Sequence, residues 1–313
     1  MKAVEYDRYG PPAVLQVREV PRPTPRRGEL LVRVRAAALN PKDVYVRSGR
    51  FRLLSGRRFP MRVGFDWAGE VVERGPGVHG AEVGAACFGM LDGFRGGACA
   101  EYLVVRPDQS APKPDALDFD RAAAVPLAAS TALQALRDVA RLESGMRVLV
   151  NGASGGVGVF AIQIAKILGA HVTTTSSAGN VEVCRRLGAD APVDYRATDP
   201  LDGAERFDVV FDVYGNRSLG AARAALTARG VYVTTVPRRR TYLDVARTLF
   251  SHPRARVVVV RPRARDLAFI AERLAEGRLV PVVERVYPLD EIVAAEERVA
   301  SHHTRGKIVV RMG

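Results

Sequence analysis

The chain has 313 residues, 47% hydrophobic and 26% charged, which is enough for two domains with separate cores and excludes a disordered chain. Its formal charge of +13 rests almost wholly on arginine, the only lysines being Lys2, Lys42, Lys113, Lys166 and Lys307. Scattered cysteines (Cys87, Cys99, Cys184) exclude a disulfide framework or a zinc knuckle, and no apolar run reaches the length of a bilayer span. The N-terminus lacks the apolar core of a signal peptide, so a cytoplasmic location is expected. A positive field favours anionic ligands, but the arginines at 238–240 and 254–265 read more simply as a solvated basic face. Neither a nucleic-acid partner nor membrane insertion is expected.

Residues 1–118 read as short strands punctuated by Gly and Pro, for example 29–38, 68–74 and 98–105, with little helical periodicity. From residue 120 to 140 apolar positions recur at helical spacing. A buried strand follows at 147–151, then a glycine loop, a helix, and a second strand at 170–175. A helix at 181–187 and strands at 209–212 and 231–236 come next, with the apolar run 257–260 as a candidate closing strand. Strands alternating with helices predict a doubly wound parallel sheet over 119–262. The remainder, 263–313, carries a helix at 266–276 and strands at 280–287 and 307–311, a return to the β-rich first part.

The loop Asn151-Gly152-Ala153-Ser154-Gly155-Gly156-Val157-Gly158 sits between a strand and a helix, the setting in which a dinucleotide pyrophosphate is bound. Gly155 and Gly156 let the backbone approach phosphates, Gly158 lets helix and strand pack closely, and the helix N-terminus offers free N–H groups. Ala153 replaces the first glycine of the usual triplet. An NAD site usually closes its second strand with Asp or Glu, which holds the ribose 2′-hydroxyl. Here that strand ends Thr175-Ser176-Ser177-Ala178-Gly179-Asn180 with no acid, so NADPH is the expected cofactor. The same residues also suit a plain turn and helix cap, and both uses are compatible.

In addition, the chain resembles the medium-chain dehydrogenase/reductase superfamily, and within it the zinc-independent quinone oxidoreductases (the zeta-crystallin-like family). The residues that carry this are Ala38-Leu39-Asn40-Pro41-Lys42-Asp43-Val44-Tyr45, Gly64-Phe65-Asp66-Trp67-Ala68-Gly69, the Ser130-Thr131 pair, the glycine loop, Asp194-Tyr195-Arg196 and Thr304-Arg305-Gly306-Lys307. They run in order along nearly the whole chain. The resemblance implies a GroES-like β-rich domain formed by both termini, an inserted Rossmann domain, and a homodimer. It implies that Asn40, Tyr45 and Thr131 face the nicotinamide. Ser154, Gly155, Gly156 and Val157 would meet the pyrophosphate, and Ser176, Ser177, Asn180 and Tyr195 the 2′-phosphate. Val213, Val236, Val260 and Arg261 would line cofactor or substrate. Zinc-dependent relatives place Cys, His and Cys ligands where this chain has Asn40, Phe65 and Leu127, so no metal is expected.

The activity so implied is hydride transfer from NADPH to a quinone or an α,β-unsaturated carbonyl, with Asn40 and Tyr45 as the catalytic candidates. A tyrosine with the ordinary pKa of about 10 stays protonated at neutral pH, so Tyr45 or solvent can supply the proton. Two alternatives stay open. An enoyl-thioester reductase would use the arginine clusters for carrier phosphates, although such enzymes carry a tyrosine donor where this chain has Phe51. A non-catalytic NADPH-binding protein would touch RNA through its basic surface.

Overall fold

A computed structural model describes residues 1–313. The strands in chain order are β1 (Lys2–Tyr6), β2 (Gln16–Glu19), β3 (Leu30–Leu39), β4 (Met61–Arg62), β5 (Asp66–Arg74), β6 (Ala86–Met90), β7 (Tyr102–Val105) and β8 (Ser110–Pro112). There follow β9 (Arg147–Asn151), β10 (His171–Ser176), β11 (Ala191–Asp194), β12 (Phe207–Asp212), β13 (Leu226–Thr234), β14 (Arg254–Val257), β15 (Val283–Pro288) and β16 (Lys307–Arg311). The chain forms two compact units, Met1–Ser130 with Arg261–Gly313, and Thr131–Val260.

The first unit holds a three-stranded sheet, β2-β1-β4, and a larger sheet in the order β15-β16-β3-β5-β6-β8, with β7 on β3. Its centre is β3, whose sequence LLVRVRAAAL is buried at eight of ten positions. Three alanines there, Ala36 to Ala38, let neighbouring strands carry large side chains such as Trp67 without overpacking the core. The C-terminal strand β16 pairs antiparallel with β3, placing Ile308 opposite Leu39, while β5 on the other side places Asp66 opposite Ala38. Residues Asn40, Asp66 and Lys307 therefore meet at one end of three adjacent strands. Immediately after β3 the chain turns into the helix Pro41–Arg47, which the sequence shows only through Asn40 at its N-cap and Pro41 at its first position. That helix lies in a stretch expected to be β throughout; its single short face gave too few turns for a period to show.

The second unit is a six-stranded, wholly parallel sheet in the order β11-β10-β9-β12-β13-β14. Numbered within the unit this is 3-2-1-4-5-6, the dinucleotide-binding arrangement, with the crevice beyond the carboxyl ends of β9 and β10. The expected Rossmann fold and GroES-like β-rich domain are both present, and no helix is long and apolar enough to cross a membrane. One local expectation moves. The closing strand is Arg254–Val257 and not 257–260, because an edge strand tolerates arginines on its open side. The basic cluster at 238–240 opens a helix, Arg239–Arg247.

The helix Gly156–Ile167 follows the glycine loop and is buried from Gly158 to Ala165. Gly158 fixes how close it comes: a Cβ there would stand 2.4 Å from the Gly152 carbonyl oxygen and 2.5 Å from that of Ala153. Helix propensity alone favours Gly→Ala by roughly 0.5–1 kcal/mol. The clash is with backbone, which cannot swing aside, and overpacking costs roughly 1–3 kcal/mol. Gly158→Ala is therefore expected to lower the urea midpoint, and an unchanged or raised midpoint would contradict this packing.

Candidate functional site

The first unit builds its polar centre around Asp66, which is 0% exposed. Its Oδ2 accepts from Asn40 Nδ2 at 3.0 Å and from the Lys307 ammonium at 3.0 Å, and its Oδ1 accepts from the Leu127 backbone N–H at 2.7 Å. Lys307 also donates to Asn40 Oδ1. Both Asn40 and Lys307 are 3% exposed. The amide orientation follows from chemistry: a flipped Asn40 would aim its NH2 at an ammonium and its oxygen at a carboxylate. Leu127 is the second residue of the helix Pro126–Leu133, so Asp66 also satisfies a first-turn N–H that has no partner within the helix.

Asn40 is held from its backbone as well. Its N–H donates to Asp43 Oδ2 at 2.8 Å, while Gly64 N–H donates to Asp43 Oδ1 at 2.7 Å. Burial and the Glu296 charge push the Asp43 carboxyl up to about 7, against the pull of those two N–H groups. Glu296 is itself paired at 2.7 Å with the buried Arg47, at the end of the same helix.

Beside this centre lies an aromatic wall. The Phe51 ring stands 6.1 Å from that of the half-buried Tyr45 and 5.1 Å from that of Phe94. Arg50 covers the Tyr45 ring at 4.5 Å, and Lys42 Nζ lies 3.9 Å over the Phe65 ring. Phe51 thus contributes a ring without a hydroxyl. The donor set does not fit zinc: Phe65 and Leu127 carry no ligand atom, and Asn40 Oδ1 is occupied by an ammonium. Nowhere does the chain gather three His, Cys, Asp or Glu side chains able to hold a metal ion.

In the second unit, Ser154, Gly155, Gly156 and Val157 form the end of the loop and the first turn of its helix, with Gly155 at the N-cap. A Cβ at Gly155 would meet nothing nearer than 3.5 Å, so its face is open to an incoming group. Asn180 Nδ2 reaches Ser154 Oγ at 3.2 Å and Ser177 Oγ at 3.1 Å, bringing the loop and the end of β10 together. Tyr195 is 47% exposed, and its N–H donates to the Ser176 carbonyl at 3.1 Å. Ser176 itself faces inward: it is 3% exposed, and its hydroxyl donates to the Ser177 carbonyl at 3.2 Å. These residues fit a phosphorylated dinucleotide, with polar hydrogens and open backbone at one strand end and no acid among them.

Val213, Val236 and Val260 follow the ends of β12, β13 and β14, and all are half-buried. Val213 and Val236 share the neighbourhood of Gly215, whose missing side chain makes room for Val236. Thr131 is buried on the helix Pro126–Leu133, and Arg261 is exposed where the chain leaves this unit. Asn40, Tyr45 and Arg261 thus belong to the first unit and the remaining candidates to the second.

Sequence reasoning missed a second polar centre, at Asp212. This buried carboxylate accepts from Asn151 Nδ2 at 2.7 Å, from the Gly215 and Arg217 N–H groups at 2.9 Å, and from the Tyr232 hydroxyl at 2.8 Å. Thr175 donates to Asn151 Oδ1 at 2.7 Å, so β10, β9 and β12 are locked at their carboxyl ends. Burial, reinforced by the Asp212 charge, pushes the Tyr232 hydroxyl well above the usual tyrosine range. The only sequence signal was a polar residue closing each apolar strand.

The two units define a dinucleotide-dependent oxidoreductase of the GroES-like plus Rossmann type. Residues 26–115 match the model for the alcohol dehydrogenase GroES-like domain, and 187–310 match that for zinc-binding dehydrogenases. The chain is 32% identical over 322 residues to the chloroplast envelope quinone oxidoreductase homolog of Arabidopsis thaliana, covering 99% of this chain and 98% of that one. It is 34% identical to the 2-methylene-furan-3-one reductase of Solanum lycopersicum, over 99% of this chain and 79% of the relative. The Escherichia coli quinone oxidoreductase solved with NADPH superposes with a TM-score of 0.85 at 26% identity, over 99% of this chain and 100% of that one. The chain belongs to the medium-chain dehydrogenase/reductase superfamily, in its quinone oxidoreductase family. The family-model description names zinc, but the ligand positions here carry Asn40, Phe65 and Leu127.

Lys307→Met removes one partner of the buried Asp66 carboxylate. Loss of roughly 3–5 kcal/mol is expected from denaturant unfolding, the usual cost of an uncompensated buried charge. The double variant D66N/K307M should recover part of it. A loss below about 1 kcal/mol for K307M would show that Asp66 does not depend on the ammonium.

Proposed function

We propose that this protein is an NADPH-dependent reductase of quinones or α,β-unsaturated carbonyls. The observation that carries this is the pairing of a dinucleotide fold with an acceptor wall of Tyr45, Phe51, Phe94 and Phe65 that lacks a zinc donor set. Oxidation of a simple alcohol needs strong support for an alkoxide, which a metal usually gives. A flat conjugated acceptor spreads its negative charge over several atoms and needs chiefly to be stacked and held. The relatives, a quinone oxidoreductase homolog and a 2-methylene-furan-3-one reductase, agree with that class.

When bound, NADPH supplies the hydride. Asn40, fixed at side chain and backbone, and Tyr45 orient the nicotinamide and the acceptor, and Thr131 is assigned to the nicotinamide as well. Ser154, Gly155, Gly156 and Val157 take the pyrophosphate. Val213, Val236, Val260 and Arg261 border the remaining surface. Ser177 and Tyr195 present hydrogens to the 2′-phosphate, Asn180 holds the Ser177 hydroxyl beside it, and Ser176 supports them from behind the strand end. Hydrogen bonds to a charged acceptor contribute roughly 1.5–3 kcal/mol each, so one surviving bond gives a preference of about tenfold or more.

The test is NADPH consumption with a panel of quinones, enones and enoyl-thioesters, beside alcohol oxidation with NADP⁺. Turnover of quinones or enones is expected, and turnover of simple alcohols alone would overturn the proposal. In fluorescence titrations NADPH should bind at least about tenfold more tightly than NADH. Ser177→Asp should cancel or reverse that difference by repelling the phosphate. Equal dissociation constants in the unmodified protein would contradict it.

A further inference from the structure

Lys42 is the second residue of the helix Pro41–Arg47, and its ammonium has no acceptor. Lys307 is satisfied by Asp66 and Asn40, Lys166 by Asp190, and Lys113 by the carbonyls of Pro114 and Leu117. Lys42 instead rests 3.9 Å over the Phe65 ring and 5.5 Å from the Phe94 ring, with no carboxylate or carbonyl within bonding distance. Burial draws its pKa down, while Asp43 on the same helix and Asp66 and Asp92 on neighbouring segments oppose that. A half-buried ammonium whose donors meet no protein acceptor is free to bond an incoming oxygen. Here they stand on the wall where Phe94 and Phe51 would stack a conjugated ring.

We propose that Lys42 receives the carbonyl oxygen of the acceptor, stabilises the negative charge formed there, and protonates it. This rests on the quinone or enone reading above. As hydride forms a new C–H bond at the electrophilic carbon, the conjugated π pair moves to the oxygen. An N–H bond of Lys42 then breaks and an O–H bond forms, giving the enol; from a quinone this is the keto tautomer of the hydroquinone, which becomes aromatic when water removes the ring C–H proton and protonates the second oxygen. The acceptor gains two electrons, NADPH becomes NADP⁺, and water returns a proton to the neutral amine. A full positive charge already in place beside the developing oxyanion is the arrangement that accelerates such steps most. Phe65 and Phe94 hold that charge in position by their ring faces without occupying its donors.

The full-length protein and its K42M and K42R variants decide the matter. With K42M, kcat on a quinone or enone should fall by about 10²–10⁴ while the dissociation constant for NADPH stays within about twofold. K42R keeps the charge but, being protonated at every working pH, does not give up its proton, so it too should lose kcat. A second readout does not need turnover: 4-nitrophenol added with NADP⁺, at a pH below the phenol's own pKa. The wild type and K42R should show the absorbance of bound phenolate and K42M should not. Wild-type kcat in K42M, an equal phenolate signal in K42M, or no phenolate signal in the wild type would each overturn the assignment. If the wild type reduces no quinone or enone, the functional reading fails, and the nitrophenol spectra still decide whether Lys42 holds an oxyanion.

Discussion

A carboxylate with no access to water is the constraint on which the first unit depends. Both oxygens of the Asp66 carboxylate need donors in place of water, and the chain supplies three, from Asn40, Leu127 and Lys307. Those donors lie at the start of one helix, the start of another, and the first residue of the last strand. Leaving the carboxylate unmatched would cost several kcal/mol, a large share of an ordinary domain's net stability. The fold of this unit and the position of Asn40 are thus one arrangement. The register that sets Ile308 against Leu39 and Asp66 against Ala38 is what makes the contact, and the contact in turn holds the register.

The same logic explains how a member of a superfamily with zinc-dependent branches does without the ion. At the positions where such relatives place ligands, this chain has an amide already bonded, an aromatic ring and an aliphatic side chain. Positive charge is supplied by side chains: Lys307 is spent internally on Asp66, and Lys42 is left on the aromatic wall. In the second unit a comparable carboxylate, Asp212, draws its donors from Asn151, Tyr232 and the loop after β12, and fixes the strand ends that border the dinucleotide loop. Each unit spends a buried acid on rigidity at the end where chemistry is expected.

Much of this could be read from the sequence, and the limits have physical causes. The glycine loop was legible because its demand is local: three small residues between a strand and a helix, with Gly158 forced by carbonyls five or six residues back. The missing acid after β10 was legible for the same reason. Asp66 and Lys307 were visible only as parts of a resemblance, since their pairing depends on strand register across 241 residues. The inward turn of Ser176, whose hydroxyl donates to the Ser177 carbonyl, has no pattern of its own in the sequence. The helix Pro41–Arg47 is too short to show a period, and β14 was displaced by three residues because arginines hid an edge strand.

The central claim is that hydride passes from a reduced nicotinamide to a conjugated carbon of the acceptor without a protein-bound metal. Incubating the protein with an enone and NADPH carrying deuterium at C4 of the nicotinamide, in a strong chelator, tests it most directly. Mass spectrometry should find one deuterium on the β-carbon of the reduced product. Product lacking deuterium there, or reduction abolished by the chelator, would contradict the account.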